Sequence, residues 1–295
     1  MIPDSAVGKV ELELTTICNA KCPLCPRNLP CFSSLTGNPM KRDVQEILNQ
    51  LSRFPNLKKV HLVGQISEPT LHPEFLELAE RLKDRGYSIF ISTNGSTHRN
   101  DSFWHSLSEI LTTDDSVLFV VCGNTQELHE TYRVNTSLDS ILKAARNFRM
   151  KGIDIGGVIR FRYNADVVDS REFDSFMERN FSRVFKINND FSVPDRLESV
   201  FAPVKRVSDA MKRIDFESAF SFMTNEIICE MPMNGSVFID IHGNVWPCAS
   251  FYQESVERGL ESPVSAEKSM DCCRRCTSPL RKIADRFDIG GWDGV

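Results

Sequence analysis

The sequence predicts an α/β fold built on a parallel sheet. From residue 9 to about residue 188, short β-branched runs alternate with amphipathic stretches of helical period. That alternation marks repeated βα units, in which each crossover helix returns the chain so that successive strands run parallel.

Strands are expected at 9–15, 58–63, 87–92, 116–121, 154–162 and 183–187, with helices near 41–53, 73–84, 100–111, 138–150 and 169–179. In the first helix Val44, Ile47, Leu48 and Leu51 fall at i, i+3, i+4 and i+7, which gives one apolar face. Six strands with outer helices fit either a doubly wound sheet or an incomplete barrel, and periodicity leaves both open. Residues 1–190 form this unit. Residues 191–228, which contain Pro and Arg and an expected helix near 205–222, read as a connector. The remainder, 229–295, has few helical periods and reads as a small domain that a metal site helps to hold together.

The chain has 295 residues, 41% apolar and 25% charged, and no apolar run reaches the ~18 residues of a membrane span. Its first residues lack the charged head and apolar stretch of a secretory signal, so the expected location is the cytoplasm, with no membrane partner. A net charge of -5 gives no basic footprint for nucleic acid. Ten cysteines in such a chain point to metal ligation or catalysis rather than disulfides. Cys18, Cys22, Cys25 and Cys31 gather near one end, Cys229, Cys248, Cys272, Cys273 and Cys276 toward the other, and Cys122 stands alone.

Cys18-Asn19-Ala20-Lys21-Cys22-Pro23-Leu24-Cys25 follows directly on the first strand, which places three thiols at a strand's C-terminal end, where parallel α/β folds carry their chemistry. Thiolates ligate iron-sulfur clusters, and three of them on a four-iron cluster leave one iron open to a small chelating molecule. Spacing alone also admits a zinc site with Cys31 as fourth ligand.

The CxxxCxxC spacing at this place resembles the signature of the radical S-adenosylmethionine (SAM) superfamily, and further segments extend the resemblance. Gly64-Gln65-Ile66-Ser67-Glu68-Pro69 looks like the family's GGEP segment, with Ser67 where the family has its second glycine. The match implies that Glu68 and the nearby backbone receive the SAM amino group. Ile91-Ser92-Thr93-Asn94-Gly95 is similar to the family's TNG strand ending, which lies beside the cofactor. Cys122-Gly123-Asn124 and the downstream Arg133 resemble the fourth strand ending, with Cys122 where Asp is common. Arg133 is then the candidate for the SAM carboxylate, since a guanidinium pairs with it bidentately. The resemblance covers about residues 9–190 and implies a partial (β/α)6 barrel with a SAM-binding 4Fe-4S cluster on Cys18, Cys22 and Cys25 at its mouth.

In the second cysteine group, Cys229 is followed by thirteen residues, Gly243, four residues and Cys248, and later by Cys272-Cys273-Arg274-Arg275-Cys276. Residues 235–246 read as a hairpin with a His-Gly-Asn turn. The arrangement resembles the C-x9-15-G-x4-C element of SPASM/Twitch auxiliary domains. It implies an auxiliary 4Fe-4S cluster on Cys229, Cys248, Cys273 and Cys276, Twitch being the closer match because cysteines are absent after Cys276. A four-thiolate zinc site is the alternative from spacing.

The resemblance implies an oxidoreductase that cleaves SAM reductively and abstracts hydrogen from a small polar substrate, with net oxidation through the auxiliary cluster. A low-potential donor such as flavodoxin or ferredoxin would supply electrons. An epimerase using the Cys122 thiol, or a maturase that crosslinks a peptide substrate, is the alternative enzyme. A zinc-stabilised binding module without activity is the alternative of another class. His61, His72 and His129 lack metal-like spacing and read as structural.

Overall fold

The computed structural model describes residues 3–188 apart from 24, 29–31, 98 and 162, together with 235–246 and the single positions 249, 252 and 256. Six strands carry the parallel sheet: β1 (Lys9–Leu12), β2 (Lys59–Val63), β3 (Ser88–Thr93), β4 (Ser116–Val121), β5 (Asp154–Arg160) and β6 (Arg183–Asn188). Each pairs in parallel with the next in the chain. A doubly wound sheet carries helices on both faces, whereas here the alternate strand residues Val10, Leu12, Val60, Leu62, Ile89 and Ile91 share a single core with the apolar faces of the helices. One-sided helix packing therefore decides between the two architectures that periodicity left open, in favour of the partial barrel.

The connecting helices are α1 (Ser33–Gly37), α2 (Val44–Leu51), α3 (Phe75–Asp84), α4 (Asp101–Ile110), α5 (Gln126–Glu130), α6 (Leu138–Arg149), α7 (Ala165–Val168) and α8 (Arg171–Asn180). Asp43, Asn100, Thr125, Ser137 and Ser170 cap α2, α4, α5, α6 and α8, each accepting a backbone N–H of the first turn. The short α1, α5 and α7 were not expected from periodicity, since helices of five residues or fewer present too few turns to show a face.

Alternation along the strands sorts their side chains. Val10, Leu12, Val60, Leu62, Ile89, Ile91, Val117 and Phe119 bury against the helices in one core, with Ile47, Leu78, Leu107, Ile141 and Phe148 opposite. The other face, with Glu11, His61, Phe90 and Ser92, is only partly exposed and lines the inside of the curved sheet.

The expected hairpin forms from β7 (Ser236–Ile239) and β8 (Val245–Trp246). β7 pairs in parallel with β1, Lys9 opposite Ser236 and Leu12 opposite Ile239, so the sheet continues across the boundary expected at 228/229. The Asp240 carboxylate closes the turn, accepting from His242 and Asn244 N–H at 2.9 Å and from Trp246 Nε1 at 2.7 Å. Gln50 of α2 donates to Gly243 O at 2.6 Å and seats the hairpin on the barrel. Cys31, Cys229, Cys248, Cys272, Cys273, Cys276 and the expected helix near 205–222 lie outside the described residues. Among the described residues, no helix is long and apolar enough to cross a membrane.

Candidate active site

The loop after β1 is pinned at both ends. Thr15 and Thr16 hold it to the segment before α2, through Thr15 Oγ1 to Met40 O at 2.6 Å and Thr16 N to Met40 O at 3.1 Å. Farther on, Asn19 ties three strand ends together. It donates to Ser96 O at 2.5 Å, its Oδ1 accepts from Asn94 Nδ2 at 2.9 Å, and its carbonyl accepts from Asn135 Nδ2 at 2.7 Å. Lys21 N–H donates to Val134 O at 2.9 Å. The cysteine loop is thus fixed against the loops after β3 and β4 before any ligand is considered.

Cys18, Cys22 and Cys25 stand around one cavity of about 170 Å³, which Gly64, Gln65, Ser67, Glu68, Ser92, Thr93, Asn94 and Arg133 also line. Burial pushes the Cys18 thiol up to about 12, the Glu68 carboxylate adding to it, and burial raises Cys25 as well. Since thiolates are the ligating form, ligation here means proton release against a cationic centre. Among the described residues, no three His, Cys, Asp or Glu side chains converge as a single-ion site requires.

Glu68 is buried and takes four protein donors. Thr70 N at 3.2 Å, Thr70 Oγ1 at 2.7 Å and Thr93 Oγ1 at 2.7 Å donate to Oε1, and Asn94 N donates to Oε2 at 2.7 Å. Burial still raises its pKa, with these hydrogen bonds opposing. A carboxylate has about four lone-pair sites, so little of Glu68 is left for a ligand beyond one site on Oε2. Its main work is joining the turn at 64–71 to the end of β3, with Pro69 starting a 3-10 turn, Pro69–Leu71. Gly95, at φ 65°, makes the left-handed step after Asn94 that a side chain would strain.

Arg133 is brought in by the short α5 and the turn after it. His129 organises that turn as a neutral ring: its Nδ1 accepts from Cys122 N–H at 3.2 Å and its Nε2 faces Thr136 Oγ1 at 2.9 Å, while Thr136 Oγ1 donates to Arg133 O at 2.6 Å. Burial pushes His129 down to about 4. The Arg133 guanidinium reaches Cys22 Sγ at 3.7 Å, and its buried Nε has no hydrogen-bond partner. Burial works against its charge, but Cys22, Cys122 and Tyr132 outweigh that and raise its pKa.

The Radical SAM superfamily matches this chain over residues 12–170. The chain belongs to the radical SAM superfamily. Among curated relatives, the tungsten-containing aldehyde ferredoxin oxidoreductase cofactor-modifying protein of Pyrococcus furiosus is 34% identical over 99 residues, 34% of this chain and 27% of the relative. The 7-carboxy-7-deazaguanine synthase of Aquifex aeolicus is 34% identical over 79 residues, 27% of this chain and 33% of the relative. Each match therefore spans a third or less of the curated relative. Streptococcus suis SuiB bound to its precursor peptide SuiA aligns with a TM-score of 0.56 at 16% identity, over 88% of this chain and 62% of SuiB, a likeness of fold.

Radical SAM membership implies a 4Fe-4S cluster and SAM, and two observations fit that pair. The donor set is all sulfur, the type that iron-sulfur clusters take. The orphaned Arg133 Nε is a buried donor beside those thiols, waiting for an anionic acceptor. Of the residues expected from sequence, Cys18, Cys22, Cys25, Gly64, Ser67, Glu68, Thr93, Asn94 and Arg133 share the cavity. Pro69 and Cys122 lie outside its lining. Cys122 ends β4 as expected, but it is fully buried with Ala20, Cys22, Tyr132 and Phe161, and burial pushes its thiol up to about 12. Asn164 caps that patch by donating to Cys122 O at 2.9 Å.

Sequence reasoning missed Glu13, Asn19 and Arg27. Arg27 donates to Ile66 O and, at 3.4 Å, to Thr16 O, joining the cysteine loop to the turn at 64–68. Asn19 sits between two ligand candidates, and the need to pin such a loop was the available signal.

Proposed function

We propose that this chain is a radical SAM oxidoreductase. Cys18, Cys22 and Cys25 would hold the SAM-binding cluster, the turn at 64–68 the SAM amino group, and Arg133 the SAM carboxylate. When bound, the reduced cluster supplies the electron that breaks a carbon-sulfur bond of SAM, giving methionine and a 5'-deoxyadenosyl radical that takes hydrogen from substrate. The chain's own part is orientation. The network of Asn19, Asn94 and Glu68 fixes three loops around the cavity, and the closed apolar patch behind Cys22 keeps water from that side. The observation that carries the reading is the Arg133 guanidinium, one nitrogen at 3.7 Å from Cys22 Sγ and another unpartnered.

The substrate is proposed as a small polar molecule, oxidised by two electrons with an auxiliary 4Fe-4S cluster on Cys229, Cys248, Cys273 and Cys276 as acceptor, and flavodoxin or ferredoxin as the donor. SuiB, a likeness of fold, is named with a precursor peptide, so a peptide is the other substrate class to screen. Iron and sulfide counts on anaerobically prepared protein test the assignment. About eight irons are expected, falling to about four in Cys229→Ala and Cys248→Ala. Zinc in place of iron would refute it, and full iron in both variants would refute the auxiliary cluster.

A second reading makes Cys122 a hydrogen-atom donor, as in an epimerase. What favours it is the place of Cys122 directly after β4, two residues from Val120, which lines the cysteine cavity. Product loss in Cys122→Ala with SAM cleavage retained would support it; full product formation would dismiss it.

A further inference from the structure

The first strand delivers a second carboxylate to this site that the cysteine motif does not announce. Glu13 follows β1 directly, its N–H still bonded to Ile239 O at 3.0 Å, and its side chain is fully buried. Its Oε2 accepts from Gln65 N–H at 2.8 Å and its Oε1 from the Ser67 hydroxyl. Gln65 and Ser67 of the turn thus hang from one side chain. From the other side Arg27 donates to Ile66 O. The turn has no slack, since a Cβ on Gly64 would come within 2.1 Å of Ser67 O.

The geometry also fixes which way the Gly64 carbonyl faces. In a trans peptide the N–H and the preceding C=O point in opposite directions. Drawing the Gln65 N–H onto Glu13 therefore turns the Gly64 carbonyl away from it, and Gly64 lines the cysteine cavity. Carbonyl oxygens are what an ammonium group needs, and Glu68 has nearly spent its own acceptor capacity on Thr70, Thr93 and Asn94.

We infer that Glu13 and Ser67 are a positioning pair that locks this turn and so sets the affinity for the SAM ammonium group. The inference rests on the reading that SAM occupies the cavity. Neither residue touches the reacting atoms, so their loss should weaken SAM binding without slowing cleavage once SAM is bound. Ser67, standing where the resembled GGEP motif has glycine, brings a hydroxyl to the clamp. That hydroxyl can both donate and accept. A Gln at position 13 can then accept from Gln65 through its carbonyl and donate to Ser67 through its amide, which makes it a conservative rescue.

The test uses the anaerobically reconstituted full chain. SAM affinity is measured by equilibrium binding, together with KM for SAM, kcat for 5'-deoxyadenosine release at saturating SAM, and iron content. Glu13→Ala should raise Kd and KM at least tenfold and Ser67→Ala about fivefold, with kcat within threefold and iron unchanged. Glu13→Gln should stay within threefold of wild type, and Glu13→Gln combined with Ser67→Ala should lose that rescue. If Glu13→Ala fails to fold, Ser67→Ala and the double variant decide alone. Unchanged SAM affinity in Ser67→Ala and the double variant, or a fall in kcat with Kd preserved, would overturn the inference. Wild-type protein that carries the cluster and binds no SAM would instead overturn the function reading beneath it.

Discussion

Arg133 and Cys22 are 111 residues apart in the chain, and the Arg133 guanidinium lies 3.7 Å from the Cys22 sulfur. The contact joins a cluster ligand candidate to the group assigned to the SAM carboxylate. Loss of a charge-assisted bidentate pair costs about 1.5 to 3 kcal/mol, or roughly 10- to 150-fold in affinity. Arg133→Ala should therefore weaken SAM binding by that factor. Arg133→Lys should recover only part of it, because an ammonium lacks the planar fork. Equilibrium SAM binding checks both, and full affinity in Arg133→Ala would remove Arg133 from the site.

Glu68 links the turn at 64–71 to β3 through four donors, all in a buried setting. Glu68→Ala strands Thr93 Oγ1 and Asn94 N–H without an acceptor, at a cost of about 2 to 4 kcal/mol in stability. SAM affinity should fall in the same variant, while the three thiols retain their iron. Denaturant unfolding and iron quantification are the measurements. Unchanged stability would show that the Glu68 network is not a structural link.

Burial pushes the Glu13 carboxyl from 4.5 up to about 7. The folded state therefore keeps a proton that the unfolded chain has released. The associated stability is fully present below pH 4.5 and is lost as pH rises toward 7, by roughly 3 kcal/mol at about 1.4 kcal/mol per unit. His61, held down to about 3, and His129, held down to about 4, act in the opposite sense, losing stability as pH falls below 6.5. The slopes overlap, so the difference between wild type and Glu13→Gln isolates the carboxyl. That difference in unfolding free energy should fall by roughly 2 to 3 kcal/mol between pH 5 and pH 7.5; a flat difference contradicts the placement of Glu13.

The βα order and the five longer helices were legible because each buries a regular face, as Val44, Ile47, Leu48 and Leu51 do. The shared place of Cys18, Glu68, Asn94 and Arg133 was legible because each follows a strand or its connecting turn. Glu13 was not. In Lys9-Val10-Glu11-Leu12-Glu13-Leu14 the alternation reads as one core face and one solvent face, and a glutamate on the second face draws no notice. In a curved sheet that second face is the interior, and alternation alone does not distinguish an interior face from a solvent face. Nor could spacing foresee that the hairpin at 235–246 would extend the barrel's own sheet beside β1, since strand partners far apart in sequence leave no local pattern.

The proposed function stands or falls with Cys18, Cys22 and Cys25 as the centre at which SAM is cleaved. The direct measurement is 5'-deoxyadenosine released from SAM by anaerobically reconstituted protein with dithionite, comparing wild type with Cys18→Ala, Cys22→Ala and Cys25→Ala combined. Wild type should release it, and the triple variant should release none while still binding the iron of the C-terminal cysteines. Release by the triple variant at the wild-type rate, or none from cluster-loaded wild type, would show that these three cysteines are not that centre.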